Sequence, residues 1–175
     1  AVEGQHTGLH LTAQQSRQFL QLMHTMHTAG FEHYEISNFA KPGHRSKHNS
    51  SYWHGIPYLG LGPSAHSFNG SSRQWNVSNN QQYITALEQD QIPFETETLT
   101  PTQRLNEYIM TSLRLLEGCN LELVAQQFGA DKKHSLVNQS ERFVHLQWMQ
   151  HQSNHLVLTQ EGKLFADGIA ADLFF

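Results

Sequence analysis

Apolar residues recur at helical spacing near both ends of the chain and fall into short, irregular clusters between them. Phe19, Leu22, Met23 and Met26 line one face after Thr12-Ala-Gln-Gln15, which fits a capping box, and before Gly30, a good helix-ending residue. These start and stop signals predict a helix over about 13–29. Phe31 to Ser37 is short and rich in β-formers, so it predicts a strand. Helix, glycine, strand is the second half of an α/β repeat. Alternation sets Tyr34 and Ile36 on one side of that strand and His33, Glu35 and Ser37 on the other. Glu35 and Ser37 therefore share one face, which alternation alone assigns equally to an interior or to an exposed edge.

No helical period runs from Asn38 to Ser72. Lys41-Pro-Gly43 reads as a turn, Ile56 to Leu61 as a short edge strand, and Gly70-Ser-Ser72 as loop. Arg73 to Ser78 reads as extended, and Gln81 to Asp90 as a short helix with Tyr83, Ala86 and Leu87 inward. The residues after Pro93 read as a linker, and the chain divides near Thr98 into units of 1–98 and 99–175. A second capping box, Thr100-Pro-Thr-Gln103, opens a helix with Leu105, Tyr108, Ile109, Ser112, Leu113 and Leu116 on one face, ended by Gly118. Asn120 caps a second helix carrying Leu123, Val124 and Phe128. Asp131 starts a third, with Leu136, Val137, Phe143, Leu146 and Trp148 as its apolar set. A Ser153-Asn154 turn leads to a strand over His155–Thr159, and Thr159 caps a last helix to about Leu173. Three short helices, a strand and a helix resemble a winged-helix-like unit.

Composition narrows the function classes. The 175 residues carry a net charge of −4, and only 15% are charged. From Pro101 onward, six Lys and Arg face eight Asp and Glu, about −2. That balance excludes a general nucleic-acid binder and disfavours a regulatory winged helix reading DNA. No apolar run approaches the roughly 20 residues of a membrane span. The single cysteine, Cys119, cannot build a disulfide framework, a Cys-type zinc site or an iron–sulfur cluster within one chain. A reduced, cytoplasmic setting is expected. The chain opens at Ala1 with loop-like residues, no methionine and no secretory signal, so a fragment or a processed product is expected.

Histidine is the compositional outlier: 13 occur, and His44, His48, His54 and His66 fall close together. Zinc would need three or four of them to converge tetrahedrally, and their irregular loop spacing favours solvated side chains. Within Lys47–Phe68 an imidazole, a phenol and an indole stand close together. His48 offers a neutral imidazole lone pair near neutral pH, and Tyr52 and Trp53 offer flat apolar faces. The same residues also suit a plain loop and core. Gly60-Leu-Gly62 permits close backbone approach to a ligand, and equally suits a tight turn at a strand end.

Three motifs in order carry a family resemblance: Tyr34-Glu-Ile-Ser-Asn-Phe-Ala-Lys-Pro-Gly43, His48-Asn-Ser-Ser-Tyr-Trp53 and Gly60-Leu-Gly-Pro-Ser-Ala-His66. Together they resemble the oxygen-independent coproporphyrinogen III oxidase-like radical S-adenosylmethionine proteins. The H-N-x-x-Y-W pattern is similar to that of the haem-chaperone (HemW-type) branch. The resemblance covers nearly the whole chain, including the C-terminal unit with its L-T-x-x-G start at Leu158. It implies an α/β fold: the end of a partial (β/α)6 barrel, with the first helix and strand as its fifth helix and sixth strand, followed by a helical domain. It implies a 4Fe–4S cluster held by a Cys-x3-Cys-x2-Cys run that these residues do not contain. The chain by itself is therefore expected not to cleave S-adenosylmethionine. Phe39 and Ala40 are implied beside the adenine, with Gly60, Gly62 and Ala65 leaving space for S-adenosylmethionine. Asn49, Tyr52 and Trp53 are implied beside haem, with His48 on its iron. The implied partners are haem and haem-requiring proteins; oligomerisation and peripheral membrane contact stay open. A coproporphyrinogen oxidase, which converts the substrate by radical oxidative decarboxylation, is the alternative activity.

Overall fold

A computed structural model describes residues 12–175. The loop-like opening of the chain lies outside the described residues. Helix α1 (Ala13–Thr28) starts on the expected capping box: the Gln15 amide donates to the Thr12 hydroxyl, and the Thr12 amide donates to the Gln15 side chain. Strand β1 (Glu32–Glu35) then reverses at Ile36 and Ser37 and pairs antiparallel with β2 (Asn38–Ala40), so the predicted strand is the first arm of a hairpin. Glu35, which suited an edge and an interior equally on pattern alone, is 1% exposed.

Three expectations for the middle of the chain are corrected. Lys47–Trp53, read as non-helical, is helix α2. Ile56–Leu61 forms no strand and contributes one bridge, between Tyr58 and Phe68. The supposed linker after Pro93 is strand β5 (Phe94–Thr98), which joins β3 (His66–Phe68) and β4 (Ser72–Asn76) in an antiparallel sheet of order β3-β4-β5. Helix α3 (Asn80–Leu87) crosses between β4 and β5.

The C-terminal unit runs α4 (Pro101–Leu113), β6 (Cys119–Asn120), α5 (Leu121–Phe128), α6 (Ala130–His145), β7 (Met149–Gln152), β8 (His155–Leu158) and α7 (Ala166–Asp172). Its sheet order is β6-β8-β7, with β7 and β8 paired as an antiparallel hairpin. Helix α6 ends at His145, short of Leu146 and Trp148 in the predicted third helix, and β7 follows from Met149. Leu146, assigned there to the apolar set, is 53% exposed, while Trp148 stacks on Phe165 at 4.3 Å. The core is contiguous: Leu105, Ile109 and Leu113 of α4 meet Leu136 and Phe143 of α6, Leu156 and Leu158 of β8, and Ile169 and Leu173 at the end. Each such side chain, once fully buried, contributes about 1.5–3 kcal/mol. Among the described residues, no helix is long and apolar enough to cross a membrane.

Candidate functional site

Helix α2 contains the H-N-x-x-Y-W motif. Its sequence is rich in Ser, Asn and His, and at seven residues it would not persist in isolation. Ser46 caps it, accepting from the Asn49 amide at 3.2 Å. Upstream, Arg45 pairs with Glu32 of β1 at 2.7 Å and with Glu117, beyond α4, also at 2.7 Å. Its guanidinium lies 5.5 Å over the Tyr34 ring. The bond to Glu32, joined by Glu117, pushes the Arg45 pKa up and holds the Glu32 carboxyl below its usual value. A second tether runs through Glu35, whose carboxylate accepts from Arg114 at 2.9 Å, from the Ser37 amide at 2.8 Å, and from the Asn38 side chain. Asn38 in turn accepts from the Asn49 side chain at 3.4 Å. The motif helix is thus tied to the hairpin and, through Arg114, to the C-terminal unit.

One turn apart on α2, His48 meets Tyr52 edge-on at 4.9 Å. Tyr52 meets Tyr58 at 4.8 Å, and Tyr58 lies 6.4 Å from Phe68. Four rings therefore run in series from the surface inward, with His48 exposed at the outer end. Trp53, next on the helix, lies under Arg114 at 5.5 Å, and its indole N–H is buried with no hydrogen-bond partner among the described residues.

The other predicted residues occupy two separate places. Phe39 stacks on His33 at 4.2 Å, and Ala40 is buried opposite Glu32. Gly60 is packed so tightly that a Cβ there would lie 2.1 Å from the His66 carbonyl oxygen, so the fold itself requires glycine at this position. Gly62 has φ +99°, and its carbonyl accepts from the Asn76 side chain at 2.9 Å. Ala65 is half-buried, and its carbonyl accepts from the Asn76 amide at 2.9 Å. Cys119 is fully buried, and its thiol is pushed up to about 11 by burial, the opposite of what a thiolate cluster ligand requires. The residues present do not fit an iron–sulfur cluster. Among the described residues, no three His, Cys, Asp or Glu are grouped to hold a metal ion.

Tyr52, Trp53 and Tyr58 form one wall of a cleft of about 670 Å³, within the usual range for ligand sites. The opposite wall comes from α4 and α5 and includes Arg104, Tyr108, Thr111 and Leu123. Sequence reasoning missed this wall. Its signal is a second helical stripe on α4, Arg104, Glu107, Tyr108 and Thr111, beside the core stripe of Leu105, Ile109, Ser112 and Leu113. Burial pushes the Tyr108 phenol up to about 12, and its oxygen accepts from the Asn120 amide at 3.1 Å. His54 and His155 also line the cleft; His48 stands outside the lining, against Tyr52.

Comparison with known proteins agrees with this architecture. The HemN C-terminal domain family matches residues 99–165. The chain is 29% identical over 164 residues to the heme chaperone HemW of Bacillus subtilis, covering 92% of this chain and 43% of that one. It is 40% identical over 93 residues to the heme chaperone HemW of a Synechocystis species, covering 51% of this chain and 23% of that one. In three dimensions it is similar to coproporphyrinogen III oxidase (HemN) from Escherichia coli, described as a radical SAM enzyme. The TM-score is 0.68 at 17% identity, over 94% of this chain and 42% of that one. The chain thus spans less than half the length of these relatives. It belongs to the oxygen-independent coproporphyrinogen III oxidase-like family and corresponds to the C-terminal part of a HemW-like radical S-adenosylmethionine protein.

Proposed function

We propose that this chain is the haem-handling C-terminal part of a haem chaperone, which takes up haem and passes it to haem-requiring proteins. The observation that carries the reading is the ring series on α2. His48 presents an imidazole at the surface end, and Tyr52 and Trp53 present flat faces along a cleft of tetrapyrrole scale. In this reading His48 supplies a nitrogen lone pair to the iron, while Asn49, tied to Asn38, keeps the helix in register. Supporting it are the HemW relatives, one aligned over 92% of this chain and the other over 51%.

Residues 1–98 belong, in the same reading, to the closing edge of a partial (β/α)6 barrel. Phe39, Ala40, Gly60, Gly62 and Ala65 then face S-adenosylmethionine, which such a barrel binds beside its cluster. This chain's own contribution there is shape: Gly60 lets the loop lie against the His66 backbone, and Asn76 fixes Gly62. The cluster falls to cysteines outside these residues.

The test is a hemin titration of the chain, followed by the Soret band. A shifted Soret band that His48→Ala abolishes, with an unchanged far-UV circular dichroism spectrum, is the expected result. An unshifted band in the parent chain overturns the proposal.

A further inference from the structure

We infer that the C-terminal unit supplies half of the tetrapyrrole site: the cleft between α2 and α4–α5 takes a flat dianionic macrocycle, with Arg104 binding a carboxylate. The inference rests on the haem reading above and adds to it the second wall and the charge that selects the cargo.

The first argument is electrostatic. Two arginines and two glutamates line the cleft: Arg73, Arg104, Glu107 and Glu117. Glu107 is paired with Arg73 at 2.7 Å, and Glu117 with Arg45 at 2.7 Å. Arg104 is left with no ion pair or side-chain hydrogen bond among the described residues. By contrast, Arg45, Arg73, Arg114 and Arg142 all have carboxylate partners. The cleft therefore holds one spare guanidinium, whose planar fork matches a carboxylate.

The second argument is shape. Tyr52, Trp53 and Tyr58 offer aromatic surface on one side, and Tyr108, Leu123 and Phe128 offer apolar surface on the other. A slot walled by rings, with a single cation on its α4 side, suits a wide planar ligand carrying acidic substituents. A nucleotide would demand more than one uncompensated cation for its phosphates, and a neutral lipid would leave Arg104 unused.

The experiment titrates the chain with hemin and, separately, with hemin dimethyl ester, which keeps the ring and iron but lacks the carboxylates. Arg104→Gln is expected to weaken hemin about tenfold, the loss of one charge-assisted contact, and to leave the ester unchanged. Leu123→Trp, which narrows the slot, is expected to weaken both ligands alike. Hemin binding that still needs His48 but is indifferent to both substitutions overturns this inference and leaves the haem reading standing. Equal loss of hemin and ester in Arg104→Gln also overturns it, because the guanidinium would then act through the fold and not on a carboxylate. Failure of the parent chain to bind hemin removes the haem reading and this inference together.

Discussion

The two halves of the chain are held together by different physics. From α4 onward, Ile109, Leu136 and Leu156 are 0% exposed within one continuous apolar cluster. Before α4, the buried set is sparse and mixed: Met23, Tyr34, Ala40 and Leu99 stand beside Glu35, Ser67 and Asn76. There Leu59 and Leu61 are 76% and 83% exposed. The first half is organised by named polar contacts, Arg45 to Glu32 and Glu117 and Arg114 to Glu35, rather than by a core. An apolar core tolerates exchange of one hydrocarbon for another, whereas an ion pair around a buried carboxylate does not. The motif helix depends on the less tolerant kind of support.

Substituting one residue in each half gives the largest expected effect. Arg114→Ala leaves the carboxylate of Glu35 buried and unpaired, and breaking such a pair costs about 3–5 kcal/mol. Leu136→Ala opens a cavity in the core, at about 2–5 kcal/mol. Urea unfolding should register both, and amide exchange should separate them. Arg114→Ala is expected to speed exchange in β1, β2 and α2 while α6 and β8 stay protected. Leu136→Ala should speed exchange in every helix of the C-terminal unit. Loss of protection in α6 and β8 by Arg114→Ala would erase the distinction between the halves.

The same contrast decides what was legible in the sequence. Both capping boxes, the Asn120 cap and the α4 core stripe come from residues three or four apart, so local pattern contains them. Helix α2 was missed because Lys47-His-Asn-Ser-Ser lacks helical propensity, and its support comes from Glu32, Asn38, Glu117 and Arg114, elements distant in sequence. Strand β5 was missed because Phe94-Glu-Thr-Glu-Thr98 is exposed throughout and shows no apolar face; only backbone pairing to β4 reveals it. Of the site, the motif residues were legible as chemistry. The cleft's second wall was not, since Arg104 and Tyr108 acquire meaning only once α4 lies opposite α2.

At the seam between the halves, acidity offers a subtler probe. The His33 Nε2–H donates to the Ile36 carbonyl at 2.8 Å, so its Nδ1 lone pair accepts from the Lys163 ammonium at 3.1 Å. Phe19 and Phe39 enclose the ring, and Glu35 is the nearby carboxylate. Burial, opposed by the hydrogen bond to Ile36 and helped by Lys163, lowers the His33 pKa from its ordinary 6.5. Between the lowered value and 6.5 the unfolded chain binds more protons than the folded one, so stability rises with pH there. The contribution is complete above about pH 6.5 and falls as acid approaches the folded value. His33→Gln should flatten the dependence of the urea midpoint on pH just below about pH 6.5, and the slope it removes cannot exceed about 1.4 kcal/mol per pH unit, the limit for one proton.

The smallest effect sharpens the comparison most cleanly, because the chain contains the same device twice. Thr12 with Gln15 and Thr100 with Gln103 form capping boxes of matching geometry, each with bonds of 2.8 and 3.2 Å. Replacing a capping threonine by alanine costs about 0.5–2 kcal/mol when the helix is coupled to the rest of the fold. Helix α4 is coupled in that way, burying Leu105, Ile109, Ser112 and Leu113. Helix α1 buries only Met23. In urea unfolding, Thr100→Ala should therefore lower the global stability by about 1 kcal/mol, and Thr12→Ala by much less, since α1 can fray without opening the core. The local cost should still be visible as faster amide exchange in the first turn of α1. Equal global losses from the two substitutions would show that α1 is held as firmly as α4, and that the sparse burial of the first half understates its coupling to the second.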